Sequence, residues 1–103
     1  MMEGAHTMKL NVTEQAAQWY KDEMMLEGNE HLRFFVRYGG CSNVQKGFSL
    51  GINKDQPSNI GVKAEVNGLT FFVEEEDLWY FDGHDLKVVF NEEASEPEFI
   101  YEA

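Results

Sequence analysis

Apolar and polar residues alternate along most of this chain, so the pattern predicts strands more often than helices. Leu32, Phe34, Val36 and Tyr38 interleave with Arg33 and Arg37, the period-two signature of a half-buried strand over 32–38. Phe48, Leu50 and Ile52 repeat the signature over 48–52. Runs at 62–66 and 69–73 flank Asn67-Gly68, a residue pair that accepts positive φ at both places, and predict a hairpin with a two-residue turn. Residues 9–12 predict a short first strand and 86–90 a last clear one, while Phe99-Ile100-Tyr101 is expected to dock as a short strand or stay loose. Helical spacing is sustained once. Ala16, Tyr20 and Met24 recur every four residues behind Thr13, a good N-cap, and Glu14, which suits the first turn. A helix over 14–26 follows, stopped by Gly28-Asn29. A short acidic-started helix is predicted over 74–80, broken at Asp82-Gly83, and 53–59, polar and holding Pro57, reads as a loop. The class is α+β: mostly antiparallel or mixed strands, one long N-terminal helix and one short late helix.

A chain of 103 residues supports one core, and a single domain over 8–103 is expected. Residues 1–7 carry no pattern and are set outside it, as disordered or as a remnant. There is no internal repeat. No run approaches the roughly 20 apolar residues that span a bilayer, and no apolar run follows a basic start as in a signal peptide. With Cys41 the only cysteine, an intrachain disulfide is excluded and a reducing cytoplasm is expected. Charge changes the picture further. The net −11 lies in the last third, where residues 65–103 hold Lys87 alone against twelve acidic residues. Such a surface repels phosphate backbones and anionic membranes, so neither nucleic acid nor membrane is expected as a partner. It reads as a solvated face, or as a steering surface for a basic partner or a cation.

Candidate chemistry centres on Cys41. The alternating strand runs into Gly39-Gly40-Cys41-Ser42-Asn43, and the glycines let the backbone turn, so the thiol is expected on an accessible loop. It reads either as a small apolar filler or as a thiol for metal or redox work. His84, between Asp82-Gly83 and Asp85, reads as a turn residue or a weak metal ligand. His31 reads as a loop histidine, and His6 belongs to the patternless start. Glu74-Glu75-Glu76-Asp77 complements a helix dipole; its spacing lacks the regularity of a calcium loop. The acidic tail reads as solvated or loosely docked. The many aromatics at strand spacing are core candidates, and a few facing outward could make a dimer interface. No nucleophile–base set, phosphate loop or dinucleotide fingerprint can be assembled, so no enzyme is expected.

In order and spacing, these features resemble the HesB/IscA-like family, the A-type iron–sulfur carriers, over about 9–90. The resemblance rests on Val12-Thr13-Glu14-Gln15-Ala16-Ala17, on Gly39-Gly40-Cys41-Ser42 and the strand with Phe48, on Asn67-Gly68, and on Leu78-Trp79-Tyr80-Phe81-Asp82-Gly83. It implies a HesB-like fold and a cluster ligand at Cys41. The family's C-terminal Cys-Gly-Cys has no counterpart in the ending 91–103, so the chain is similar to the short single-cysteine branch found in Gram-positive bacteria. A [2Fe–2S] cluster normally takes four thiolates. One chain offers one and a symmetric homodimer two, the rest falling to carboxylates, histidines such as His84, or a small thiol. Two readings stand: a non-enzymatic iron–sulfur assembly or carrier-like protein using Cys41, with an assembly protein as partner and iron or a cluster as cofactor; or a binding or regulatory module that lost the cluster and contacts a protein partner. A thiol-based redox sensor is a third.

Overall fold

The computed structural model describes residues 8–41 and 46–103, with Cys41 and Lys46 described by backbone alone. In chain order the elements are β1 (Leu10–Val12), α1 (Glu14–Glu23), β2 (His31–Cys41), β3 (Lys46–Lys54), β4 (Ile60–Val66), β5 (Leu69–Glu74), a 3-10 helix (Glu75–Phe81), β6 (Asp85–Asn91) and β7 (Glu96–Glu102). They form two sheets. A four-stranded sheet runs β3-β2-β5-β4 and a three-stranded one β1-β6-β7. Pairing is mixed: β2 lies antiparallel to β3 but parallel to β5, and β1 lies parallel to β6.

Local chemistry sets the boundaries. Thr13 Oγ1 accepts the Ala16 N–H at 3.2 Å and starts α1. The helix ends at Glu23, three residues short of the expected stop. Met25 takes φ 53, its N–H donates to Asp22 O, and Leu26 N–H donates back to Lys21 O at 2.8 Å. That is a Schellman closure with methionine in the place glycine usually holds. At Asn67 and Gly68, φ is 53 and 81, the left-handed pair of a type I′ turn, and β4 meets β5 there as expected. The late helix is a single tight 3-10 stretch.

Two expectations need correcting. Cys41 is not on a loop: β2 continues through both glycines, and Cys41 pairs with Lys46 of β3. The ladder absorbs the glycines as a bulge, with Gly39 at φ 97 and a register shift between Tyr38 and Cys41. The tail is not loose either, since β7 pairs along the whole length of β6, from Asp85↔Glu102 to Asn91↔Glu96.

The core lies between the sheets and under α1, which buries Ala16, Ala17 and Tyr20. Phe34 stacks on Phe71 at 5.9 Å and meets Phe99 of β7 edge-on at 5.7 Å. Tyr80 and Tyr101 share a hydrogen bond of 3.1 Å between hydroxyls, and burial, then that bond, pushes the Tyr101 hydroxyl upward. Phe72 is fully buried on the opposite face of its sheet, edge-on to His31. No helix of the described residues is long and apolar enough to cross a membrane.

The turn after α1 closes on Glu30. Its carboxylate accepts the N–H groups of Glu27 and Gly28 at 2.8 and 2.9 Å, and of Asn29 at 3.1 Å. Those bonds, that from Glu27 first, hold its pKa down to about 2 from 4.5. A depressed carboxylate contributes stability above its unfolded value and loses it as pH falls through the folded one. Acid titration should therefore show a stability loss between about pH 4.5 and 2 that Glu30→Gln removes. An identical acid profile in the variant would show that this carboxylate does not hold the turn.

Candidate functional site

Two regions gather polar or exposed side chains: the β2–β3 hairpin with the 3-10 helix beside it, and the opposite end of the same sheet. β5 pairs with β2 only from His31 to Phe34. Beyond Phe34, β2 and β3 run on without β5, and the 3-10 helix takes its place. Inner-face residues therefore lose cover step by step along β2: Leu32 and Phe34 are buried, Val36 is half-buried, and Tyr38 is 92% exposed. Tyr38 lies opposite Phe48, with ring centroids 5.1 Å apart, and Trp79 meets Phe48 edge-on at 5.4 Å. Trp79 is itself 51% exposed. At the far end of this hairpin sits Cys41; the expected accessibility of its thiol, and residues 42–45, lie outside what is described.

On the outer side, Arg33 is a hub that sequence reasoning missed. Its guanidinium donates to Asp77 at 2.9 Å and Glu76 at 3.2 Å, and faces Asp55 at 3.7 Å. The bond to Asp77 keeps it still more firmly protonated, with burial acting the other way. Glu74, 4% exposed, accepts the backbone N–H groups of Ser58 and Asn59 at 2.8 and 2.7 Å. The acidic run 74–77 therefore ties the 55–59 loop and β2 to the 3-10 helix. A cleft of about 470 Å³ opens here, lined by Arg33, Asp55, Asn59 and Glu74 among others. A second, about 460 Å³, is lined by Glu30, His31, Lys54 and Asp55 among others.

His84 spends one ring nitrogen on the fold. Its Nδ1–H donates to Phe81 O at 2.9 Å, beside its own backbone N–H, which donates to the same oxygen at 2.8 Å. Only Nε2 is left for anything else. Among the described residues, no group of three or more His, Cys, Asp or Glu is placed to hold a metal ion.

A family model described as iron-sulphur cluster biosynthesis matches residues 8–101. The chain belongs to that family. Within it, a Bacillus subtilis (strain 168) protein named pyruvate dehydrogenase inhibitor is 60% identical over 95 residues, covering 92% of this chain and 100% of the relative. An uncharacterized protein of Staphylococcus haemolyticus is 42% identical over 79% of this chain and 85% of its own length. A solution structure of an Aquifex aeolicus protein aligns over 100% of this chain and 99% of its own, with a TM-score of 0.55 and 23% identity. That likeness is one of fold. Iron–sulphur family membership agrees with the resemblance carried by the Gly-Gly-Cys and Asn-Gly segments.

Proposed function

We propose that this chain is a non-enzymatic regulatory protein that binds pyruvate dehydrogenase and lowers its activity, an iron–sulphur family fold turned to protein contact. The observation that carries the reading is the 60% identity to the Bacillus subtilis pyruvate dehydrogenase inhibitor across that relative's full length. At that identity a shared binding surface is the simplest inheritance. The geometry supports it in kind: an inhibitor that acts by contact needs an exposed complementary face, not a nucleophile and its base. A cytoplasmic location belongs to the same reading.

A second reading, iron–sulfur carriage through Cys41, is favoured by the family match and by the place of Cys41 at the end of a long hairpin. Ligand counting sets its terms. Two copies bring two thiolates, and His84 Nε2, carboxylates or a small external thiol would fill the remaining positions. One experiment separates the two. Purified chain is titrated into a bacterial pyruvate dehydrogenase complex and pyruvate-dependent NADH formation is followed, with wild type and with Cys41→Ser. Saturable inhibition by both proteins is the expected result. Unchanged enzyme activity with the wild type at large excess would overturn the regulatory reading. Visible absorption after anaerobic reconstitution with iron and sulfide, present in wild type and absent in Cys41→Ser, would establish the second.

A further inference from the structure

We propose that the face formed by Tyr38, Phe48 and Trp79 is the docking surface for the regulated enzyme, and that it receives an apolar segment bearing Lys or Arg. This rests on the regulatory reading above and names its contact site.

Three observations carry it. First, the three rings form a connected chain, Tyr38 to Phe48 at 5.1 Å and Phe48 to Trp79 at 5.4 Å, on the side of the sheet that faces the core. β5 stops short of them, so nothing in the described fold covers Tyr38. A strand leaving a core ordinarily turns polar on its uncovered face. Here the apolar alternation continues, while Arg37 and Ser49, paired across the two strands, take the other face. Tyr and Trp also suit a contact: they bury large area with few torsions to freeze and dominate binding hot spots.

Second, the Trp79 side of the patch is acidic. Glu76, which also pairs with Arg33, and Asp82 stand three residues to either side of Trp79, about one 3-10 turn, and both are exposed. They belong to the third of the chain in which Lys87 faces twelve acidic residues. A cationic segment satisfies both features, its aliphatic stems and flanking apolar residues on the rings and its charges toward the carboxylates. An arginine guanidinium also stacks on Tyr and Trp faces.

Third, the acidic side of the patch argues against a lipid surface as the occupant. An anionic lipid headgroup is repelled by those carboxylates, whereas the hairpin itself holds no acidic residue over 31–54, so the second copy is an outcome of the test.

The test compares inhibition of purified pyruvate dehydrogenase complex by wild type, Tyr38→Ser and Met25→Ser, each first shown to be folded by circular dichroism. Met25 is 87% exposed but lies at the end of α1, away from the patch, and serves as the control. Tyr38→Ser should raise the half-inhibitory concentration about tenfold or more. Met25→Ser should leave it unchanged, and wild-type inhibition should weaken as sodium chloride is raised from 50 to 300 mM. Equal inhibition by Tyr38→Ser and wild type would refute this surface while leaving the regulatory function standing. A wild type that does not inhibit removes the function and this partner together. Inhibition lost in Tyr38→Ser yet indifferent to salt would refute a cationic segment. Size exclusion showing a wild-type dimer that Tyr38→Ser converts to monomer would assign the face to a second copy instead.

Discussion

Gly68→Ala is expected to destabilise the fold far more than Gly83→Ala, although both glycines hold φ +81. A Cβ in the left-handed region costs about 1–2 kcal/mol at either position. At Gly83 nothing lies within 4 Å of that carbon, so the conformational term stands alone. At Gly68 the Cβ would fall 2.3 Å from the carbonyl oxygen of Gly28. Backbone cannot swing aside as a side-chain tip can. The turn after α1 would have to separate from the β4–β5 turn, and overpacking of this kind costs about 1–3 kcal/mol more. Urea denaturation of both variants measures the difference directly. Equal midpoints would mean the two turns do not touch; a valine at 68 should be worse than alanine, because a β-branched residue resists positive φ most.

The other large effect belongs to Phe34→Ala. Phe34 is the ring that both sheets share, stacked on Phe71 within its own sheet and edge-on to Phe99 across the core. Removing a fully buried phenyl ring typically costs about 3–5 kcal/mol, and two ring contacts of roughly 0.5–1.5 kcal/mol each are lost with it. Against a domain stability of about 5–15 kcal/mol, the variant should be marginal. Amide hydrogen exchange should also accelerate first in β7, which reaches the four-stranded sheet through Phe99. A midpoint shift worth less than about 1 kcal/mol would show that the sheets are held together elsewhere.

Where the chain's chemistry is local, the sequence reveals the fold well. The Asn67-Gly68 hairpin is legible because two residues alone satisfy the turn, and Thr13 is legible because a cap needs only its own side chain and the next turn's amides. Legibility fails where a distant partner decides. Gly39-Gly40 looks like a strand end, yet β3 carries the ladder past it to Lys46. Pro97 and the three glutamates Glu96, Glu98 and Glu102 disguise β7, but an edge strand tolerates a proline that a central strand would not. Met25 closes α1 without the usual glycine. The candidate site suffers from the same cause. Leu32, Phe34, Val36 and Tyr38 are alike in pattern, and only the length of β5 decides which of them is covered. Arg33 is unreadable for a similar reason, since its partners Asp55 and Asp77 come from two later segments.

The two sheets differ in how the ribosome delivers them. The four-stranded sheet is one continuous stretch, 31–74, whereas the three-stranded sheet joins Leu10 to Leu86 and needs residues 96–102 as well. During synthesis the first sheet's strands emerge with no second sheet to lie against, because β6 and β7 follow them in the chain. For that interval Phe34 and Phe71 belong to a wet, sticky surface. Closing β1 on β6 then demands a loop of more than seventy residues, among the slower kinds of contact to form. A nascent chain stalled before Glu96 is therefore the species for which a holding chaperone matters most.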